Sequence, residues 1–137
     1  MKSKQVLSVE QMKHLQELGL DTSDGSMCWC YALSYKNAKW ELEIYEDVIN
    51  QKRDSAFWEI IPTYTLQDIL DKLPTLIIIS SDFYKICIEP SCGYWDIYYY
   101  KSDATELISK KSENIIDAAY DMLCWCIENG YVEKEGK

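Results

Sequence analysis

Two Cys-Trp-Cys segments carry the side chains with the widest chemical range in this sequence. They occupy Cys28–Cys30 and Cys124–Cys126. A structural zinc ion needs a full tetrahedron of ligands, and paired cysteine ligands are normally separated by about two to four residues. Cys28 and Cys30 would share one face of a strand, but Cys124 and Cys126 would lie about 200° apart on a helix. The pattern therefore predicts thiols packed around tryptophan in the core, and we assign no metal ligands and no cofactor.

The other groups suited to acid–base chemistry are a histidine and two pairs of carboxylates. His14 is the only histidine, and the sequence has neither a Gly-x-Ser-x-Gly elbow nor a glycine-rich phosphate loop. Glu41 with Glu43, and Asp117 with Asp121, follow the surface pattern of amphipathic elements. We therefore assign no catalytic residues. A small enzyme that uses carboxylate or cysteine chemistry is the alternative.

Aromatic side chains make up 13% of the chain, with eleven Tyr, five Trp and two Phe. Along residues 94–100, neighbouring side chains alternate between the two faces of a strand, so one set is core and the other faces outward. The residues predicted to face outward are Tyr45, Phe83, Cys87, Tyr94, Tyr98 and Tyr100. A half-exposed aromatic strip more often marks a protein interface than a ligand site. We take Tyr94, Tyr98, Tyr100, Phe83 and Tyr45 as the candidate interface of a homodimer or of a complex with another protein.

The chain is acidic, because 14 Lys and Arg residues face 23 Asp and Glu residues, and its net charge is −9. No segregated basic patch offsets this charge, which disfavours direct binding to nucleic acid. No apolar run is long enough to span a membrane, and no signal-peptide region follows the basic N-terminus. We therefore expect a cytoplasmic protein whose thiols are reduced.

Three segments carry the signals of amphipathic helices. Residues 8–18 begin with Ser8 and Gln11 in the positions of a capping box, and residues 65–73 begin with Thr65 and Asp68 in the same positions. Residues 114–129 present one broad apolar face and are followed by Gly130.

Alternating apolar residues predict two β-hairpins, at 27–45 and 83–100. In the return strand of the first hairpin, 40–44, the apolar residues are expected to face the core and the glutamates to face water. Shorter strands are predicted at 57–61 and 76–79. Residues 46–54 are predicted to form a polar connection.

The expected fold class is α+β, in a single domain covering 1–137. Both hairpins contribute to one mainly antiparallel sheet, the helices at 65–73 and 114–129 cover one of its faces, and the helix at 8–18 packs at an edge or on the other face. A three-layer α/β/α sandwich is the alternative. Residues 1–6 and 133–137 are expected to be frayed tails.

Three stretches of the sequence also carry a resemblance. They are Leu7–Leu15, Tyr64–Leu70 and Ile116–Tyr131, which together make up about a quarter of the chain. They resemble a group of short, uncharacterised proteins encoded by bacteriophages and integrated mobile elements of gut bacteria. The resemblance implies a phage or prophage origin and a compact α/β sandwich. It implies no activity and no catalytic residues.

These observations favour a non-enzymatic accessory protein that binds another protein, either an unknown partner or a second copy of itself. Surplus aromatic residues, strong acidity and the lack of an assembled catalytic set point the same way. Within this class, an acidic mimic of nucleic acid that inhibits a host protein is a further alternative. It would require carboxylates arranged in a stripe with phosphate-like spacing.

Overall fold

The structure is a computed structural model that describes residues 4–133. Within this range the chain forms four α-helices and seven β-strands. In chain order they are α1 (Val9–Glu17), β1 (Met27–Ala32), β2 (Glu41–Ile44), α2 (Tyr45–Gln51), β3 (Trp58–Thr63), α3 (Leu66–Lys72), β4 (Leu76–Ile79), β5 (Asp82–Ser91), β6 (Tyr94–Tyr100), β7 (Glu106–Ser112) and α4 (Ile115–Glu128). Every strand pair is antiparallel. The expected α+β class is confirmed.

Reciprocal caps set the starts of α1 and α3. The Ser8 hydroxyl accepts the backbone N–H of Gln11, while the Gln11 side chain accepts the backbone N–H of Ser8. Thr65 and Asp68 repeat this arrangement at α3. Each cap satisfies backbone donors that a helix start otherwise leaves unpaired, so both short helices begin where the sequence predicts.

The first sheet has three strands in the order β2-β1-β3. On one face, Cys28 and Cys30 of β1 form a small core with Val48 of α2. On the other face, Trp29 packs against the main core, and its indole N–H donates to the Leu7 carbonyl at 2.9 Å. The alternation along β1 therefore places this sheet between two separate apolar clusters.

The second sheet has four strands in the order β4-β5-β6-β7, so each strand pairs with the next one in the chain. Helix α4 packs against β6 and β7 and covers one face of this sheet. Ile97 and Tyr99 of β6 are fully buried on that face. The Tyr99 hydroxyl donates to the Pro74 carbonyl at 2.6 Å, which satisfies the polar end of a buried ring.

The main core draws on both sheets and on three of the helices. α4 is its centre, since Ala118, Ala119, Met122 and Leu123 are completely buried. α3 packs against α4, and α1 packs against β3. A helix that is apolar around most of its circumference is stable only when it is enclosed in this way.

The expectation of one sheet is wrong, because the two predicted hairpins belong to separate sheets. β1 forms its second ladder with β3 and not with a strand of the second hairpin. β3 continues through Pro62, where the sequence predicts that it ends. β3 is an edge strand, and the missing N–H of a proline is tolerated at an edge.

The predicted burial of the apolar residues of β2 is also wrong, although Trp40, just before the strand, packs against the main core. Leu42 and Ile44 are exposed. Glu43 turns instead toward the small core, where Arg53 donates to both of its carboxylate oxygens at 2.7 Å. Tyr45 begins α2, which replaces much of the predicted polar connection at 46–54. β2 is an edge strand, so alternation placed Leu42 and Ile44 on the face of Trp29 but did not predict that the main core stops short of them.

The predicted N-terminal tail is partly structured. Val6 is buried and forms an isolated β-bridge with Thr65. Lys4 forms an ion pair with Asp117 of α4 at 2.8 Å. Residues 1–3 and 134–137 of the two predicted tails lie outside the described range.

Candidate functional site

The second sheet has one face toward α4 and an opposite face that carries no helix in the part of the chain the structure describes. Register decides which residues lie on this second face: Ile78 is paired with Phe83, Lys85 with Tyr100, Cys87 with Tyr98, and Ser91 with Tyr94. Alternation adds the remaining members. We call this surface the open face, and it consists of Leu76, Ile78, Phe83, Lys85, Cys87, Glu89, Ser91, Tyr94, Asp96, Tyr98, Tyr100, Glu106, Ser109 and Lys111.

The β4 end of the open face is apolar and accessible. Leu76 is 39% exposed, Ile78 is 58% exposed and Phe83 is 55% exposed. Ile78 and Phe83 are direct cross-strand partners, so their side chains lie side by side. Three large apolar side chains exposed next to each other are unfavourable in water, and such a patch is typical of a binding surface.

A hollow of about 430 Å³ lies beside this apolar end. Phe83, Lys85 and Tyr100 of the open face line it, together with Lys101 and the β4–β5 turn. Lys101 lies 3.7 Å from Asp82 at its rim. Aromatic walls with cationic and anionic groups at the edge can hold an inserted apolar or aromatic side chain and fix its orientation.

The β7 end of the open face is held by polar contacts. The Tyr98 hydroxyl donates to Glu89 at 3.2 Å, and Ser109 of β7 donates to Asp96 at 2.6 Å. The Tyr98 and Tyr100 rings are in contact, with centroids 5.6 Å apart. These contacts fix the tyrosines before any partner binds, which lowers the entropy lost on binding.

Four of the five predicted interface residues lie together on the open face. They are Phe83, Tyr94, Tyr98 and Tyr100, and the predicted outward residue Cys87 is among them. Tyr45 is not, because it begins α2 and packs against the small core of the first sheet. Sequence reasoning missed Leu76 and Ile78, because a continuous apolar run has no alternation from which to assign one outward face.

The first Cys-Trp-Cys segment brings two thiols together. The sulfur atoms of Cys28 and Cys30 are 3.7 Å apart on one face of β1, and both residues are buried. Burial raises the pKa of both thiols, and the neighbouring Glu43 adds to the effect at Cys30. Thiols held protonated in this way are poor nucleophiles and poor metal ligands.

The second Cys-Trp-Cys segment lies on α4, and its thiols are also buried. Burial raises the pKa of Cys124 and of Cys126 to about 11. The two cysteines outside these segments are more accessible, since Cys87 is half-buried and Cys92 is exposed in the β5–β6 turn. Within residues 4–133, no three His, Cys, Asp or Glu side chains are grouped closely enough to hold a metal ion.

His14 lies on the surface of α1. Its Nδ1 atom is 3.8 Å from a carboxylate oxygen of Glu17, and its ring lies near Tyr120 of α4. The cavity beside Cys30, of about 620 Å³, is walled by Trp58 and the exposed β1–β2 loop and does not include His14. This cavity therefore does not join the histidine to the Cys30 thiol.

No family model, curated protein or solved structure matches this chain. In the described range, the helices are too short or too polar to cross a membrane.

Proposed function

We propose that the protein acts by binding another protein through the open face, without catalysing a reaction. The observation that carries this proposal is the group of exposed, contiguous apolar side chains at the β4 end, Leu76, Ile78 and Phe83. Covering about 300 Å² of apolar surface would contribute several kcal/mol to binding at about 25 cal/mol per Å².

The composition and rigidity of the open face support a protein partner over a small ligand. Tyrosine and phenylalanine are enriched in the cores of protein interfaces, and this surface has both. The hollow beside Phe83 and Tyr100 adjoins the exposed apolar residues, so one side chain of a larger partner can anchor there while the partner covers Leu76 and Ile78. The resemblance to short phage proteins suggests a protein of the host cell as that partner.

The cysteine thiols and His14 give little support for a catalytic function. Burial raises the pKa of the Cys30 and Cys124 thiols, and the described contacts of His14 are with Glu17 and Tyr120. A nucleophile needs an adjacent base or a lowered pKa, and the cysteines with altered pKa values have the opposite shift.

The test compares two phenylalanines of equal exposure on different parts of the molecule. Phe83 lies on the open face, and Phe57 precedes β3 in the other sheet; each is 55% exposed. Tagged wild type, Phe83→Lys and Phe57→Lys would be used to capture partners from host lysate under identical conditions. We expect a stoichiometric partner with wild type and Phe57→Lys, and at least a tenfold loss with Phe83→Lys, because a charged side chain would replace a central anchor.

The matched control separates a specific surface from a general effect of adding lysine to an acidic protein. Equal capture by all three proteins, or equal loss with both variants, would contradict the assignment of the open face. Thermal melts of the two variants would show that each remains folded.

A further inference from the structure

Within residues 4–133, no strand pairs with the outer edge of β4, and its outward backbone groups follow a defined pattern. The N–H of Ile86 donates to the Thr75 carbonyl, and Ile77 is paired with Tyr84. In an antiparallel ladder, residues that bond to the neighbouring strand alternate with residues that do not. The backbone groups of Leu76 and Ile78 therefore point away from β5, toward the open edge of the sheet.

The β4 edge lacks the usual protection of a natural sheet edge. Such edges are blunted by lysine, proline or a bulge within the strand, whereas Leu76–Ile79 is entirely apolar and its pairing with β5 is regular. The free edge is limited at one end by Pro74, which has no N–H, and at the other by the turn at Ser80 and Ser81. Both serines have positive φ, 49° and 74°, as a type I′ turn requires.

We propose that the β4 edge pairs with β4 of a second copy of this chain, antiparallel about Ile77, so that the two four-stranded sheets become one. The proposal rests on the proposed function, because it names a second copy as a partner of the apolar end of the open face. Leu76 of one copy lies opposite Ile78 of the other, and the pairing makes about four backbone hydrogen bonds between them.

The chemistry of the edge favours a second copy because the strand complements itself. Pairing about Ile77 places Leu76, Ile78 and Phe83 of both copies in one continuous apolar patch, as an isologous two-fold contact requires. β4 itself contains no charged side chain, and Asp82, which follows the turn, lies 3.7 Å from Lys101 of its own chain. The paired strands therefore add no like-charge repulsion of their own.

The size of the contact sets its strength. A contact between two four-residue strand edges and their flanking side chains buries about 1,000 Å² in total, below the range of about 1,200–2,000 Å² for stable interfaces. We therefore expect a reversible dimer with a dissociation constant on the order of 10–100 µM.

The experiment removes one outward N–H and keeps the fold. Ile78→Pro deletes a donor that faces away from β5, a position where an edge strand tolerates proline. Ile78→Val is the matched control, because it keeps the N–H and the β-branched side chain. Sedimentation equilibrium from about 5 to 500 µM should show wild type and Ile78→Val rising from 16.1 kDa toward twice that mass. Ile78→Pro should stay near 16.1 kDa, with a dissociation constant raised at least tenfold.

A second measurement uses only the wild-type protein, so it does not depend on whether Ile78→Pro folds. Amide hydrogen exchange of wild type should show protection at Leu76 and Ile78 that rises with protein concentration, while Ile77 is protected at every concentration. A wild type that remains monomeric throughout, or a dimer that Ile78→Pro leaves intact, would overturn the proposal. In either case, capture of a partner that depends on Phe83 would leave the proposed function standing.

Discussion

Replacing isoleucine by alanine on opposite faces of the second sheet should have very different effects on stability. Ile97 is fully buried under α4, whereas Ile78 is 58% exposed on the open face. The chemical change is the same in Ile97→Ala and Ile78→Ala, and both sites lie in strands of one sheet. Differences in β-propensity between an edge strand and a central strand are within about 1 kcal/mol, so a larger difference reports which face is covered.

The magnitude follows from burial. Ile97→Ala forfeits about 0.8 kcal/mol for each of three buried carbons, and the cavity that remains adds about 1–2 kcal/mol, for a total near 4 kcal/mol. Ile78→Ala forfeits less than half of the transfer free energy and leaves no cavity, so it costs about 1 kcal/mol. The difference of about 3 kcal/mol is well above the scatter of such measurements.

Urea unfolding followed by tryptophan fluorescence measures both losses. With a slope of about 2 kcal/mol per M, the midpoint should fall by about 2 M for Ile97→Ala and by about 0.5 M for Ile78→Ala. The measurements belong at low micromolar protein, below the proposed dimer range. Equal losses at that concentration would refute the assignment of the two faces.

Three further outcomes follow from particular contacts. Burial alone would raise the pKa of Asp117, but hydrogen bonds from Lys4 and Gln11 outweigh it and lower the pKa. This stabilisation is present above the ordinary pKa of about 3.9 and is lost as the pH falls through the lowered value. Asp117→Asn should therefore lower the free energy of unfolding by about 1–2 kcal/mol at pH 7, as measured by urea unfolding. The difference between wild type and variant should shrink below about pH 4, and a difference that stays constant with pH would contradict this role of Asp117. Tyr99→Phe removes the donor to the Pro74 carbonyl and should cost about 1–2 kcal/mol in the same assay, and an unchanged midpoint would contradict the contact. Self-association should strengthen severalfold between about 50 and 500 mM NaCl, because salt screens the repulsion of two chains with a net charge of −9; sedimentation that shows weaker association in salt would contradict this.

Helix starts were predictable because their determinants lie within a few residues of each other. Ser8 with Gln11, and Thr65 with Asp68, satisfy donors of their own first turn, so the sequence pattern suffices. α2 was missed for the opposite reason. It has no side-chain cap and buries only Val48, so its stability depends on packing against the first sheet.

Strand faces were predictable only where one face meets the core along its whole length. On β6, Ile97 and Tyr99 are buried and Tyr98 and Tyr100 point outward, as alternation predicts. On the edge strand β2, the same reasoning failed, because the burial of either face depends on distant elements. Which strand pairs with which is a property of the whole fold, and this explains why one sheet was expected instead of two.

Most of the candidate surface could be derived from the sequence, and the rest required the register of β4. Phe83, Tyr94, Tyr98 and Tyr100 were identified from alternation within one hairpin. Leu76 and Ile78 of β4 were not identified, because a run of four apolar residues can be buried on both faces of a sheet or on only one.

Hydroxyl-radical footprinting of the complex with a captured partner tests most directly whether the open face is the binding surface. If the partner covers the open face, Phe83, Tyr98 and Tyr100 should lose reactivity when it binds, while Phe57 and Tyr35, which are exposed elsewhere, should keep theirs. Loss of reactivity at Phe57 or Tyr35, with Phe83 unchanged, would contradict it.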